Sequence, residues 1–152
     1  MVTESEVTVA LARSLVEREL KILSIALPGG GSGLTFRSDL ESAPTIVPDL
    51  VAKFLDGKVL IVEAKPKFHG PDVQKLLNLV SGSYDTSISK SLGKVGAELL
   101  TAIAVSYTPN LQKFSQDKDF LDFIFLVDDE KQVQVAHDKN NLLKNGESSF
   151  NE

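Results

Sequence analysis

Hydrophobic residues recur along the chain at two spacings, one typical of helices and one typical of β-strands. Over residues 5–23 they return every three to four positions and form a broad apolar arc, which predicts an amphipathic helix that Thr3 or Ser5 can cap. The arc consists of Val9, Leu11, Ala12, Leu15, Val16, Leu20 and Leu23. Pro28 and a glycine-rich run at 29–33 end this pattern, and a short β-prone stretch at 34–36 follows.

Two further β-prone segments, 46–54 and 59–65, flank the dipeptide Asp56-Gly57. This dipeptide between two apolar segments is a strong hairpin signal, so we expect two neighbouring antiparallel strands. The earlier glycine-rich run lacks the Gly-Lys-Ser/Thr ending of a phosphate-binding loop, and we interpret it as a flexible connector.

Beyond this hairpin the pattern predicts a second helix, a buried strand and another hairpin. The helix begins at Gly70-Pro71, with an apolar stripe formed by Val73, Leu76, Leu77 and Val80. The later segments are a loop or broken helix at 81–96, a strand at 99–107, a short polar helix at 111–120, hairpin strands at 123–127 and 132–136, and a frayed tail at 144–152.

The resulting order of elements is helix, three strands, helix, strand and a C-terminal β-hairpin. This order predicts an α/β fold in which a mixed β-sheet is flanked by helices. With 152 residues, the chain is long enough for one domain, which we place over 1–152 with a core at about 5–107 and an extension at about 110–140.

Composition narrows the chemistry that this domain can perform. The chain has no cysteine, which excludes disulfides, thiolate metal sites and cysteine nucleophiles and favours a reducing, cytoplasmic compartment. No apolar run approaches the roughly 18 residues of a membrane span, and the N-terminus lacks the pattern of a signal peptide, so we expect no membrane association.

The formal net charge is −5, so the chain as a whole lacks the basic balance of strong nucleic-acid binders. A nucleic acid would therefore have to meet a local basic face or depend on bound cations that offset phosphate repulsion. Such a face could be formed in the first half of the chain by Lys53, Lys58, Lys65, Lys67 and Lys75.

Three polar residues lie on the two predicted strands of the first hairpin. Glu63 and Lys65 are two residues apart and therefore share one face of a strand. A two-residue loop at Asp56-Gly57 would put Asp49 on the opposite face of the sheet. A three-residue loop that includes Lys58 would instead pair Val51 with Glu63 and Asp49 with Lys65, and all three polar groups would then converge.

In that register Asp49 and Glu63 could hold one divalent cation, with Lys65 beside it. Two carboxylates without cysteine favour a hard cation such as Mg²⁺, for which Mn²⁺ can substitute. Such a cation supports phosphodiester hydrolysis, and the lysine could orient or deprotonate the attacking water. Lys53, on the same face, could contact a nucleic-acid backbone, and His69 could contact a phosphate.

The arrangement of Pro48-Asp49, a spacer of thirteen residues and Glu63-Ala64-Lys65 at the end of a strand resembles the PD-(D/E)xK nuclease superfamily, which includes restriction endonucleases. The resemblance implies a restriction-endonuclease-like core over about two thirds of the chain. It implies that Asp49 and Glu63 bind the metal, that the Ala64 carbonyl completes the site and that Lys65 activates water.

Members of this superfamily often add a carboxylate from the first helix and a polar residue from the second. The resemblance therefore implies Glu19 or Glu4 as a further ligand, whereas Glu17 faces solvent by the helical count. Gln74 is the candidate on the second helix.

These observations lead to the hypothesis of a metal-dependent endonuclease that cuts DNA, although DNA and RNA are not distinguished by any base-reading motif. Cutting both strands of a duplex would need two sites, so we expect a homodimer or a higher homo-oligomer. Two alternatives are a catalytically inactive nuclease-fold subunit for binding or assembly, and a cleaving subunit of a recombination or transposition complex.

Overall fold

The chain folds around one six-stranded mixed sheet that carries helices on both faces. The structure is a computed structural model, and it describes residues 2–27, 33–68 and 70–143. Within these ranges the α-helices are α1 (Glu4–Glu17), α2 (Gly70–Leu79) and α3 (Asp85–Leu92). The strands are β1 (Lys21–Ile25), β2 (Leu50–Lys53), β3 (Val59–Lys65), β4 (Leu100–Ser106), β5 (Phe123–Val127) and β6 (Val133–Asp138). Short 3-10 helices occupy Gly96–Glu98, Leu111–Phe114 and Asp117–Asp119.

The six strands lie in the sheet in the order in which they occur in the chain. Strands β1, β2 and β3 are antiparallel, β3, β4 and β5 run parallel, and β6 returns antiparallel to β5. Helices α2 and α3 form the connection that parallel neighbours such as β3 and β4 require. The prediction of an α/β fold with a mixed sheet flanked by helices is therefore confirmed.

Successive side chains along the strands pack alternately into two separate hydrophobic cores, one on each face of the sheet. Leu60 and Val62 of β3 belong to the core beneath α1, together with Leu11 and Leu15 of that helix. On the other face the core contains Ile61 of β3 and the apolar stripe of α2. Because β3 is covered on both sides, its residues from Val59 to Ala64 are all buried, as is typical of a central strand.

The first helix is shorter than its apolar arc predicts, and the end of the arc belongs to a strand. Thr3 caps α1 through the backbone of Glu6, and the helix ends at Glu17. Glu19 then adopts a positive φ of 72°, which turns the chain so that β1 can pair with β2. The prediction of a strand at 34–36 is wrong, because only the single β-bridge between Phe36 and Ile46 forms there.

The hairpin of β2 and β3 forms as predicted, but its register differs from the expected one. Lys53 pairs with Val59 and Val51 with Ile61, so the pairing of Val51 with Glu63 is wrong. The three-residue loop is 55–57, closed by a hydrogen bond from Phe54 N to Lys58 O at 2.8 Å. Gly57, with a φ of 97°, supplies the left-handed position that such a loop needs.

The register error amounts to two residues along the partner strand. Because side chains alternate with a period of two, every side chain keeps the face on which the sequence placed it. Strand β2 begins at Leu50 and not at 46, since Pro48 cannot donate a ladder hydrogen bond.

The remaining elements follow the predictions with local differences. The loop or broken helix expected at 81–96 contains helix α3, and the polar helix expected at 111–120 is two 3-10 turns. The final hairpin is confirmed, with its second strand moved to Val133–Asp138, and the predicted frayed tail lies outside the described residues. In the part of the chain that the structure describes, no helix has the length and apolar character needed to span a bilayer.

Candidate functional site

Asp49 and Glu63 face each other across two antiparallel strands. Continuing the observed register by one residue beyond Leu50–Val62 sets Asp49 opposite Glu63. Both side chains lie on the face of the sheet that α2 covers, because they share the alternation of Val51 and Ile61 in that core. The pairing of Asp49 with Lys65 predicted from the sequence is therefore wrong, but the predicted convergence on one face is present.

The carboxylate of Asp49 is held in place by the neighbouring strand. The backbone N–H of Ala64 donates to Asp49 Oδ2 at 2.8 Å, which ties this side chain to the strand that carries Glu63. Asp49 is partly buried, whereas Glu63 is only 2 % exposed. Both carboxylates are therefore shielded from solvent, Glu63 almost completely and Asp49 in part.

Burial and mutual repulsion make both carboxylates hard to ionise. The pKa of Glu63 is raised to about 8, first by burial and then by the negative charge of Asp49, while Lys75 opposes the rise. Burial also raises the pKa of Asp49 above its usual range, although the Ala64 N–H acts against it. Two such carboxylates need a proton or a cation between them at neutral pH.

Two lysines reach this site from different elements. Lys75 of α2 places its Nζ 3.1 Å from Glu63 Oε1. Lys65, at the end of β3, places its Nζ 3.0 Å from Glu4 Oε1 at the start of α1. This hydrogen bond to Glu4 is the main reason why the pKa of Lys65 is raised, so Lys65 is an ammonium group at neutral pH.

Asp72 and Lys75 belong to the site, although sequence reasoning assigned no role to Asp72 and gave Lys75 only a place on a basic face for a nucleic acid. Asp72, one turn before Lys75 on α2, is only 9 % exposed, and its charge raises the pKa values of both Glu63 and Lys65. The sequence signal was the i, i+3 spacing of an acid and a lysine next to the apolar stripe of this helix. That spacing brings both residues to the face of α2 that meets the sheet.

Of the acids proposed on the first helix, Glu4 is brought to the site and Glu19 is not. Glu19 lies beyond the end of α1 and is exposed. The 14 residues of α1 span about 20 Å, so Glu19 is near the opposite end of the helix from Glu4. The placement of Glu19 at the metal is therefore wrong, and Glu17 is exposed as the helical count predicts.

The other candidate residues lie around the site and not within it. Lys53 is exposed at the far end of β2, about 13 Å along the strand from Asp49. Gln74 is exposed on α2, where its Nε2 donates to Asn78 Oδ1 at 2.9 Å. His69 lies outside the described residues.

The oxygen donors of the site suit a hard cation, but their number from side chains is small. No group of three or more His, Cys, Asp or Glu side chains arranged to bind a metal occurs among the residues that the structure describes. A cation would therefore be held by Asp49, Glu63, main-chain oxygen and water. Glu63 Oε1 fits this use, because it is buried and accepts no hydrogen bond from a described residue, even though Lys75 forms an ion pair with it.

Comparisons of the chain with models of protein families, with curated proteins and with solved structures gave no significant match. The functional proposal therefore depends on the geometry of the site itself. Two opposed carboxylates lie on neighbouring strands of that site, Lys65 is held at the end of one strand by Glu4, and Lys75 reaches the pair from α2.

Proposed function

We propose that this protein is a metal-dependent endonuclease of the PD-(D/E)xK type that hydrolyses phosphodiester bonds in DNA. One observation carries the proposal: Asp49 and Glu63 stand opposite each other on one face of a hairpin, with Lys65 two residues beyond Glu63. The motif Pro48-Asp49 and Glu63-Ala64-Lys65 thus has its polar side chains on one side of the sheet, as the restriction-endonuclease-like chemistry requires.

Asp49 and Glu63 would hold the divalent cation, and the Ala64 carbonyl is the main-chain ligand that the motif implies. Mg²⁺, or Mn²⁺ in its place, would supply Lewis-acid activation of water and offset the charge that develops on the phosphoryl oxygens. Binding would also relieve the repulsion that raises the pKa values of the two carboxylates. The same feature that is unfavourable for the free protein therefore favours cation binding.

Lys65 would act as a hydrogen-bond donor and not as the base. Its pKa is raised, chiefly by the hydrogen bond to Glu4, so its Nζ remains protonated at neutral pH. A fixed ammonium group can orient the attacking water and stabilise the charge of the pentacovalent transition state. Glu4 would then act as a positioning residue, since it holds the Lys65 side chain from the N-terminus of α1.

An acidic protein that binds a nucleic acid needs positive charge close to the site of cleavage. The chain carries a net charge of −5, but Lys75 pairs with Glu63, Lys65 lies two residues beyond Glu63 on the same face, and bound divalent cations would add positive charge there. Because each chain offers one such site, cleavage of both strands of a duplex would be expected from a homodimer or a higher homo-oligomer.

The experiment that tests the proposal is cleavage of supercoiled plasmid, branched DNA, single-stranded DNA and RNA with Mg²⁺ or with a chelator. We expect Mg²⁺-dependent cleavage by the wild type and its loss in Glu63→Gln and Lys65→Ala. The matched controls are Glu17→Gln and Lys90→Met, which remove the same charges at exposed positions outside the site and should cut like the wild type. Cleavage in the chelator, or equal cleavage by the site and control variants, would refute the proposal.

A second candidate function is a nuclease-fold subunit that binds or assembles without cutting. It is favoured by the two ion pairs, Lys65–Glu4 and Lys75–Glu63, which already neutralise part of the acidic cluster without a metal. Calorimetric titration with Mn²⁺ separates the two functions. Stoichiometric binding that Asp49→Ala abolishes supports the nuclease, whereas no binding supports the assembly subunit. Cleavage that starts only when a partner recombinase is added would instead identify a cleaving subunit of a recombination complex.

A further inference from the structure

Lys75 occupies a position that a metal ion would also require. Its Nζ lies 3.1 Å from Oε1 of the buried Glu63. Its charge also acts on both carboxylates, because it lowers the pKa of Asp49 and that of Glu63. In the metal-free protein, Lys75 is thus the counter-ion that the fold itself supplies when the carboxylate pair is ionised.

The side chain of Lys75 has an open space beside it. It retains 34 % exposure, and it lines a surface cavity of about 580 Å³ between the segment at 44–46 and α2. Gln74 and Asn78 line the same cavity. A lysine with four rotatable carbon–carbon bonds can therefore leave Glu63 and keep its ammonium group in water, without movement of the helix.

Lys65 is held differently, and this difference distinguishes the two lysines. Its Nζ is paired with Glu4 of α1 and not with the carboxylate pair. A cation that enters between Asp49 and Glu63 therefore meets Lys75 directly, while Lys65 can stay in place. Two positive charges within about 4 Å of each other repel, and a divalent ion has the stronger attraction for the pair.

We infer that Lys75 is a resident counter-ion of the carboxylate pair and that a divalent cation displaces it into the neighbouring cavity. The inference rests on the proposed function, because it assumes that Asp49 and Glu63 bind the metal. Lys75 would then set the metal concentration at which the site is filled, since each binding event has to break its ion pair with Glu63.

Displacement can be measured on the wild-type protein by amine labelling with and without Mg²⁺, read by mass spectrometry of each lysine. We expect Mg²⁺ to increase the labelling rate of Lys75 several-fold, because the amine leaves its ion pair. Labelling of Lys53, which is exposed and distant, should stay constant. Unchanged or slower labelling of Lys75, at a Mg²⁺ concentration that calorimetry shows to saturate the site, would overturn the inference and leave the nuclease proposal standing.

A variant provides an independent measurement. Lys75→Met removes the competing charge, and we expect Mg²⁺ to bind at least about tenfold tighter, as is usual for a charge this close. The titration is performed at pH 9 and repeated in buffers of different ionisation enthalpy, so that protons released from the carboxylates are counted. Lys53→Met is the matched control and should leave the affinity unchanged.

The outcomes separate the inference from the function on which it rests. Tighter binding by Lys75→Met alone supports the inference, and equal affinity of Lys75→Met and the wild type overturns it. If neither protein binds Mg²⁺, the metal site itself is refuted, and the inference is lost with the proposed function.

Discussion

Replacing Glu63 with glutamine should remove a large pH dependence of stability. The pKa of Glu63 is raised from 4.5 to about 8, mainly by burial. Between these values the folded protein binds a proton that the unfolded chain releases, so the free energy of unfolding falls as pH rises. At about 1.36 kcal/mol per pKa unit, the loss over this window is at most about 5 kcal/mol, a large part of the stability of a domain of this size.

The assay is urea denaturation of the wild type and of Glu63→Gln at a series of pH values from 5 to 9. We expect the wild type to lose stability through this range and the variant to change little, because the amide does not titrate and Asp49 then faces a neutral group. Glu17→Gln, at an exposed position, should keep the wild-type slope. Equal slopes in the wild type and Glu63→Gln, or a flat wild-type profile, would refute the reasoning.

Mg²⁺ gives the same experiment a second readout. A ligand that binds only the folded state adds stability that grows with the logarithm of its concentration relative to its Kd. Since protons and Mg²⁺ compete for the same carboxylates, the stabilisation by Mg²⁺ should be greater at pH 8 than at pH 5. Chelation should return the wild type to its metal-free profile, and Glu63→Gln should show little stabilisation at either pH.

Three further predictions concern single residues. Lys65→Ala should lower the rate of single-turnover cleavage by at least about a hundredfold and leave the Mg²⁺ affinity measured by calorimetry unchanged. A parallel loss of Mg²⁺ binding would contradict the role of Lys65 as a donor to the attacking water and the transition state. Glu4→Gln should move the alkaline limb of the pH–rate profile to lower pH, because Glu4 raises the pKa of Lys65, and an unmoved limb would argue against this pairing. Gly96→Ala should cost about 1–3 kcal/mol in urea denaturation, since its Cβ would lie 2.9 Å from Val80 Cα, and an unchanged midpoint would contradict this contact.

The central strands could be predicted from the sequence because a strand that is buried on both faces needs mostly apolar, β-branched or aliphatic residues. β3 is buried on both faces, and the β-prone segment predicted at 59–65 has the same limits in the sequence as in the structure. The site was predictable for a related reason. Alternation along the strands fixes which residues share a face, and a register error of two residues does not change it.

Other features depend on contacts that local patterns do not contain. The segment Lys21–Ile25 continues the helical apolar arc, but pairing with β2 and the positive φ of Glu19 make it a strand. Tertiary pairing thus outweighs local periodicity at this edge of the sheet. The segment 81–96 was predicted as a loop or broken helix because it is rich in Ser and Gly, and helix α3 forms within it with Ile88 and Tyr84 buried.

The roles of Lys75 and Glu4 could not be derived from spacing either. Each reaches the carboxylate region from a helix outside the hairpin, and only packing of α1 and α2 against opposite faces brings them together. A pattern of residues along one strand identifies which groups converge on a face. It does not identify which side chains from other elements neutralise them.

A crystal of the wild-type protein soaked in Mn²⁺ shows whether Asp49 and Glu63 bind one cation, because anomalous scattering locates the ion. We expect one peak within about 2.0–2.6 Å of an oxygen from both Asp49 and Glu63, with the ammonium group of Lys75 moved away from Glu63. A crystal saturated with Mn²⁺ that shows no peak between these two carboxylates would contradict this expectation.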